Sequence, residues 1–320
     1  WAKIDLTWKI GWTLNKSTPF STQNNYLQSA GPITSTGTLS RSFFSLPPVF
    51  ALKVFKSGIS QVNKLYDPYA ADPQASLSNA FVEGFETLPL LQHAGFLQNF
   101  ASYIPRPNWS ISWDGLEKFF PFKSIAEKVS LDHSYSAGYT EGWYLDPDGK
   151  KVTQTQQINY AFAPLIGLNM TFGKLWKGNL SGSIKYATSS SFSLGLSTSN
   201  ITQAATKDIG LSATYSKSGF EIPLFGLSLK NDIEFTFSYT FSQTSTILFD
   251  MSPGNYTDSG TPQDGQTRVT IEPRVKYTIS SKVTLSVFYT RTTVQPEGAS
   301  RVEPTTSNEA GLDVHIAIGG

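Results

Sequence analysis

Apolar and polar side chains alternate one by one along the first segment of the chain. Between residues 2 and 14, the apolar positions are Ala2, Ile4, Leu6, Trp8, Ile10, Trp12 and Leu14. Lys3, Asp5 and Lys9 are among the residues that separate them. Because successive side chains of a β-strand point to opposite faces, this period of two predicts a long strand with one apolar and one polar face.

The same alternation recurs in later segments, at residues 129–139, 156–172, 209–216, 232–241, 268–279, 283–292 and 309–318. We expect the apolar side to face lipid, with Ile4, Leu6, Trp8, Phe235, Phe237, Tyr239, Ile271, Val275 and Val287 as its representatives. We expect the polar side to line a wet lumen, represented by Arg268, Glu272, Arg274, Lys276, Asp313 and His315. These strands are roughly twice the ~5–6 residues of an average strand in a soluble protein.

Strands of this length favour a transmembrane β-barrel over a soluble β-sandwich. A tilted strand crosses a bilayer with ~9–11 residues. A sandwich must cover its apolar faces with a second layer, and the sequence has too little helix to cover so many strands. Backbone groups cannot stay unpaired in lipid, so a membrane sheet must close. The sequence therefore predicts an all-β fold, an antiparallel transmembrane β-barrel or a section of a very large one, with a small helical insertion.

Composition agrees with this class and argues against others. Charged residues make up only 15% of the 320 residues, and aromatic residues make up 13%. Lys and Arg number 25 against 24 Asp and Glu, so no net field attracts nucleic acid. The absence of cysteine excludes disulfides and thiolate metal sites. With three histidines and no nucleotide or metalloprotease motif, we expect no cofactor, no metal and no enzyme activity.

The pattern divides the chain into three parts. Residues 1–46 are predicted to form the first transmembrane strands, residues 47–128 a loop and helical insertion, and residues 129–320 the C-terminal run of strands. In the insertion, Asp72 before Pro73 predicts the start of a helix. An apolar stripe that includes Leu77, Phe81 and Phe85 follows. This helix is expected to pack on the barrel rim, or else to form a plug or cap that narrows the pore.

Connection lengths predict the sides of the membrane. Outer-membrane barrels have short periplasmic turns and long outer loops. The tight turn at 280–282 therefore faces the periplasm, as does 173–179. Residues 193–206, 250–266 and 295–307 then fall outside.

One apolar stretch does not fit a short polar turn. Because successive connections alternate between the two sides of the membrane, 220–229 is predicted to be a periplasmic turn. Pro223 argues against a regular central strand there. Exposed apolar side chains there would form a contact surface for a partner protein. Its predicted members are Phe220, Ile222, Leu224, Phe225 and Leu227. The alternative is that they fold over the barrel rim or extend the next strand.

Three stretches resemble a known family. They are GFEIPLFGLSLKNDIEFTFSY at 219–239, VTIEPRVKYTISSKVTLSVFYTR at 269–291 and TTSNEAGLDVHI at 305–316. They are similar to the C-terminal part of the type IX secretion system outer-membrane translocons, the SprA/Sov family of gliding and periodontal Bacteroidota-type bacteria. The resemblance covers 207–318 most clearly and 156–206 less so. The final Gly319-Gly320 departs from the terminal aromatic residue of many small barrels.

The resemblance implies a very large barrel that exports folded proteins through the Gram-negative outer membrane and has a lateral opening. The implied partners are plug or lateral-gate proteins, secreted cargo, and the lipid and lipopolysaccharide around the barrel. A chain of 320 residues is expected to form only the C-terminal part. The alternative function is a self-contained porin of about a dozen strands for small solutes, and an outer-membrane hydrolase is a third.

Overall fold

A computed structural model describes residues 2–17, 20–23, 26–29, 34–45, 58–86, 105–175, 177–224, 227–280, 282–298 and 303–317. Two α-helices occur in this part of the chain, α1 (Ile59–Leu65) and α2 (Pro73–Phe85). The short strands are β1 (Ala2–Thr7), β2 (Ile10–Ser17), β3 (Phe20–Gln23), β4 (Tyr26–Ser29), β5 (Thr34–Ser42) and β6 (Asn108–Asp114). The longer strands are β7 (Ala126–Leu145), β8 (Lys151–Leu175), β9 (Gly178–Gly195), β10 (Asn200–Leu224), β11 (Leu227–Asp250), β12 (Thr261–Ser280), β13 (Val283–Pro296) and β14 (Thr305–Ile316).

All strands except the β3–β4 hairpin belong to one antiparallel sheet of 12 strands. From β7 to β14 each strand pairs with the next along the chain. The all-β antiparallel prediction is therefore confirmed. The sheet does not close within the described residues, because β14 pairs only with β13 and the other edge is formed by β1 and β2. Barrel closure remains a prediction.

The first half of the sheet contains a strand that is interrupted and then resumed. β5 pairs with β7 over residues 36–42, and β6 pairs with the preceding part of the same strand over residues 109–114. β2 and β1 lie beside β5 and β6 in the same way. The two halves join through Ser42, whose hydroxyl donates to the Arg106 carbonyl at 2.5 Å. The chain thus leaves the sheet after β5 and re-enters it in line at β6.

The excursion between the two halves contains both helices. α2 begins as predicted, because the Asp72 carboxylate accepts a hydrogen bond from the backbone N–H of Ala75 and Pro73 follows. Its apolar stripe is buried, with Leu77 and Phe81 fully inaccessible. The interval 47–128 assigned to the insertion also contains β6, a short strand through Trp109, Ile111 and Trp113 that rejoins the sheet.

Successive connections lie at opposite ends of the long strands. At one end, called the turn end, the connections after β8, β10 and β12 have two residues each, at 176–177, 225–226 and 281–282. At the other, called the loop end, the connections span 146–150, 196–199, 251–260 and 297–304. The predicted connections at 173–179, 250–266, 280–282 and 295–307 therefore lie at alternate ends as expected.

Two connections are shorter than the predicted intervals. Residues 193–206 belong mainly to β9 and β10, with a turn of only four residues between them. Residues 220–229 follow the predicted alternative in which they extend the strands, because β10 continues to Leu224 and β11 begins at Leu227. Pro223 stands opposite Ser228 in this hairpin. β9 pairs with β10 only as far as Ser216, so no strand lies beside Pro223 on the β9 side. The N–H that proline lacks therefore removes no hydrogen bond to β9.

Candidate functional site: a two-faced sheet

One face of the sheet carries the apolar residues of the alternation and is called the apolar face. Residues paired across an antiparallel ladder lie on the same face. Phe237 pairs with Ala213 and Pro273, and Phe235 pairs with Tyr215 and Val275. All the predicted lipid-facing residues that lie within strands are on this face. They are Ile4, Leu6, Phe235, Phe237, Tyr239, Ile271, Val275 and Val287. Trp8 lies between β1 and β2, where its side chain is exposed.

Much of the apolar face is bare. Large apolar side chains that are more than a third exposed occur across the sheet, and Phe237 is 43% exposed. Together they are called the apolar band, which includes Ile4, Leu6, Ile10, Trp12, Leu14, Trp113, Ile166, Ile184, Ile209, Phe235, Phe237, Val287, Tyr289, Leu312, Val314 and Ile316. A band of this extent is far larger than the scattered apolar residues of a soluble surface.

The apolar band runs diagonally across the strands. One row of paired residues connects Ala2 at one edge, through Leu131 and Leu211, to Asn308 at the other edge. On β1 and β2 the band lies on the loop-end side of this row, from residue 4 to residue 14. On β14 it lies on the turn-end side, from residue 312 to residue 316.

The diagonal gives the tilt of the strands relative to the band. The centre of the band shifts by about 12 residues between the two edges, or ~40 Å at ~3.4 Å per residue. Nine strand spacings of ~4.8 Å separate these edges, or roughly 43 Å. The strands are therefore tilted by about 40–45° from the line perpendicular to the band. The strands of outer-membrane barrels have a similar tilt of ~35–45°.

Beyond the band toward the loop end, the apolar face becomes polar on β10 to β12. Lys207, Gln243 and Thr267 form one row there. The Glu297 carboxylate accepts hydrogen bonds from the Thr267 hydroxyl and from Gln243 Nε2, the latter at 2.9 Å. These bonds, with that from Thr267 the larger cause, hold the pKa of Glu297 below its ordinary value. The band therefore has a polar limit on this side.

On β7 to β9 the helices cover the apolar face at the loop end. Phe85 of α2 lies against Phe192 with ring centroids 4.4 Å apart. The same buried cluster includes Tyr135, Ala137, Tyr139, Ile158, Tyr160, Phe162, Leu194 and Leu196. The exposed side of the helices is mainly polar, as at Lys64, Gln74 and Glu83. α1 and α2 therefore lie on the apolar face of the sheet and not on its polar face.

A buried ionic cluster ties this insertion to the sheet. Arg106 Nη2 lies 2.5 Å from Glu86 Oε1, and Arg41 Nη1 lies 3.9 Å from the same oxygen. All three side chains are buried. The Arg41 guanidinium also lies over the rings of Phe43 and Tyr139, at 5.0 and 5.4 Å from their centroids. The cluster joins β5, the end of α2 and the segment before β6.

The opposite face, called the polar face, carries hydroxyl, amide and charged groups. Ser183 and Ser212 share a hydrogen bond of 2.7 Å between neighbouring strands. Asp132 accepts from Ser112 at 2.8 Å and from Asn169 at 3.2 Å. All the predicted lumen-facing residues lie on this face. They are Arg268, Glu272, Arg274, Lys276, Asp313 and His315. Arg274 lies 3.4 Å from Glu272 in an exposed pair.

The described histidines do not form a catalytic arrangement. His133 Nε2 accepts from Trp109 Nε1 at 3.1 Å, and His133 Nδ1 lies 2.7 Å from the Leu165 carbonyl. Both ring nitrogens are therefore engaged by groups other than a serine. His315 is exposed on the edge strand β14, and His93 lies outside the described residues. In the described part of the chain, no three His, Asp or Glu side chains group closely enough to hold a metal ion.

The predicted partner-contact residues lie in a hairpin that projects at the turn end. β9 pairs with β10 only as far as Ser216, and β12 pairs with β11 only from Ile233 onward. Residues 220–224 and 227–231 therefore pair only with each other. Phe220, Ile222, Leu224 and Leu227 lie in this hairpin, where only the Phe220 side chain is described, and Phe225 lies outside the described residues.

Comparison with protein-family models and with curated proteins found no match for this chain. No helix in the described ranges has the length and apolar character required to cross a membrane. The fold class thus rests on the sheet itself, and the family resemblance remains an expectation from the sequence.

Proposed function

We propose that this chain forms part of the wall of a β-barrel in the Gram-negative outer membrane, with the apolar band in lipid and the polar face toward a water-filled lumen. The observation that carries the proposal is the bare, diagonal apolar band. Its inclination corresponds to the strand tilt of such barrels, and outside the part under α1 and α2 no layer covers it within the described residues. The unequal connections support the same class, since short turns lie at one end and longer loops at the other.

We further propose that the barrel is a large protein-conducting translocon. Both sheet edges carry unpaired backbone groups beside bare apolar side chains, which is costly in lipid. Additional strands pairing at both edges would remove that cost and enlarge the barrel. The family resemblance at 207–318 points to the type IX translocons, whose cargo would cross in the folded state. The alternative is a self-contained porin, in which β1 and β2 would pair directly with β14.

Disulfide cross-linking between the two edges distinguishes these functions. Single cysteines placed along β1 and β2 at Ile4, Leu6 and Ile10 are combined with cysteines at Leu312 and Val314 in the intact protein. A disulfide needs Cα atoms within about 7 Å, so only directly paired strands will cross-link under oxidation. The translocon predicts no intramolecular cross-link in any combination. As a control, Leu285→Cys with Val314→Cys joins residues that are paired in the structure and is expected to cross-link. Efficient closure between β1–β2 and β14 would refute the translocon and favour the porin.

The projecting hairpin is the surface that we propose contacts a plug or lateral-gate partner. At its base Asn231 Nδ2 donates to the Ile279 carbonyl of β12 at 2.6 Å, but residues 220–224 and 227–230 pair with neither β9 nor β12, so a partner strand could pair there. Changing Ile222 and Leu227 to Ser is expected to release a co-purifying partner while the barrel stays heat-resistant on a gel. Retention of every partner would contradict this role, and loss of the barrel would indicate that the hairpin serves packing instead.

A further inference from the structure

The connection between β6 and β7, residues 115–125, folds back onto the apolar face at the turn end. Gly115 starts it with a φ of 92°, a left-handed conformation that glycine adopts without strain. Two short 3-10 turns follow, Leu116–Lys118 and Phe122–Ser124. The Glu117 carboxylate accepts a hydrogen bond from the Val129 N–H at 3.0 Å, and Gly115 N donates to the Val129 carbonyl at 3.2 Å. Val129 is fully buried, so the loop is held against β7.

This loop presents aromatic side chains outward. Phe120 is 94% exposed, and Phe119 and Ile125 are each more than half exposed. The Phe119 ring meets the Trp113 ring edge to face, with centroids 6.2 Å apart. Trp113 is itself part of the apolar band, so the loop continues the band at its turn-end rim. Exposed apolar side chains are unfavourable in water, and their grouping marks a contact surface.

The charges beside these rings indicate what they contact. Lys118 and Lys123 are both exposed and flank the aromatic residues. Glu117, the one acidic residue between Gly115 and Ala126, already holds the loop to Val129. Aromatic rings bounded by lysines are typical of the membrane interface, where the ring enters the acyl boundary and the ammonium group stays at the phosphate level. A protein partner would not need this continuity with the apolar band.

We propose that residues 115–125 form a phospholipid anchor, in which Phe119 and Phe120 enter the lipid leaflet at the turn end and Lys118 and Lys123 bind headgroup phosphates. The proposal rests on the outer-membrane location proposed above and adds a specific lipid-binding site to it. If the turn end is periplasmic, the lipid is a glycerophospholipid of the inner leaflet.

Spin labelling tests the anchor. A nitroxide is attached at Phe120→Cys in the intact protein on a cysteine-free background, reconstituted in vesicles of phosphatidylethanolamine and phosphatidylglycerol. Collision rates with oxygen, which concentrates in lipid, and with a water-soluble nickel chelate report the depth of the label. Phe237→Cys on the apolar band is the control for membrane insertion, and Asp148→Cys in the exposed 146–150 turn is the control for water. We expect the Phe120 label to have an oxygen-to-nickel ratio several-fold above that at Asp148.

The outcomes separate the lipid anchor from the outer-membrane barrel on which it rests. A water-accessible Phe120 label with a lipid-exposed Phe237 label overturns the anchor and leaves the barrel standing. A water-accessible Phe237 label overturns the barrel and the anchor together. Shielding of the Phe120 label from both oxygen and nickel would indicate a protein contact and overturn the lipid assignment. Changing Lys118 and Lys123 to Gln should make the Phe120 label shallower, and an unchanged depth would refute the phosphate contact.

Discussion

A charge placed on the apolar band should destabilise the protein, whereas the same charge one residue away should not. Phe237 lies in the band, between Ala213 and Pro273 on the neighbouring strands. Ser238 lies on the polar face, opposite Ser212 and Glu272. In membrane barrels an Arg on the lipid side near the midplane costs ~2–4 kcal/mol. At Ser238 an Arg would stand across from Glu272, and such an opposite-charge pair contributes about 0.2–1 kcal/mol in its favour.

The expected difference between Phe237→Arg and Ser238→Arg is therefore at least ~2 kcal/mol, or more than about tenfold in the folding equilibrium. Denaturant unfolding of the intact protein in lipid vesicles, followed by heat-modifiable gel mobility, measures it. Phe237→Ala is the control for loss of the ring without a charge, and it should cost less than Phe237→Arg. Equal destabilisation by the two Arg variants would refute the assignment of the faces.

Two further predictions follow from the insertion and the connections. Glu86→Gln leaves Arg41 and Arg106 buried without their carboxylate, and breaking a buried pair in this way costs ~3–5 kcal/mol. Amide hydrogen exchange should therefore rise in α1 and α2 before it rises in the long strands. An equal rise in both would show that the cluster does not act on the insertion alone. A cysteine at Asn255, in the 251–260 loop, should react with a membrane-impermeant thiol reagent on intact cells, and one at Lys282 should react only after the outer membrane is opened; reversed labelling would invert the proposed orientation.

The alternation along the chain was sufficient to predict the faces of the strands. The period of two is a local property, so the residues assigned to each side, such as Phe237 and Arg274, lie on opposite faces as expected. The helix at Asp72-Pro73 was predictable for the same reason, since its cap and stripe are local. Strand ends were less accurate, because a stretch rich in Ser and Thr such as 193–206 serves equally as a loop or as the ends of two strands joined by a short turn.

The interrupted strand could not be read from the sequence. β5 and β6 lie in line although more than 60 residues separate them, and only their common partner β7 reveals it. The ionic cluster depends on the same pairing, since Arg41, Glu86 and Arg106 meet only when the insertion folds back. The Phe119-Phe120-Pro121-Phe122 run is visible in the sequence, but its position at the rim of the band follows from the hydrogen bonds of Glu117 and Gly115 to Val129.

The position of the helices bears on how a lumen could stay open. Their apolar side covers Tyr135 to Tyr139 of β7 and the residues paired with them on β8 and β9, and their outer side is polar. The row of Tyr139 continues through Arg41 to Ile10 of the apolar band, so the helices cover the band where it crosses β7. The strands reach 25 residues, well beyond the ~9–11 that a tilted strand needs in lipid, and an apolar face that continues into water requires such a cover. Because α1 and α2 lie on the apolar face, they leave the serines, amides and mixed charges of the polar face free. If the chain is barrel wall as proposed, any plug must therefore come from other residues or from a partner. The projecting hairpin of residues 220–224 and 227–231 is the surface proposed above to contact such a partner.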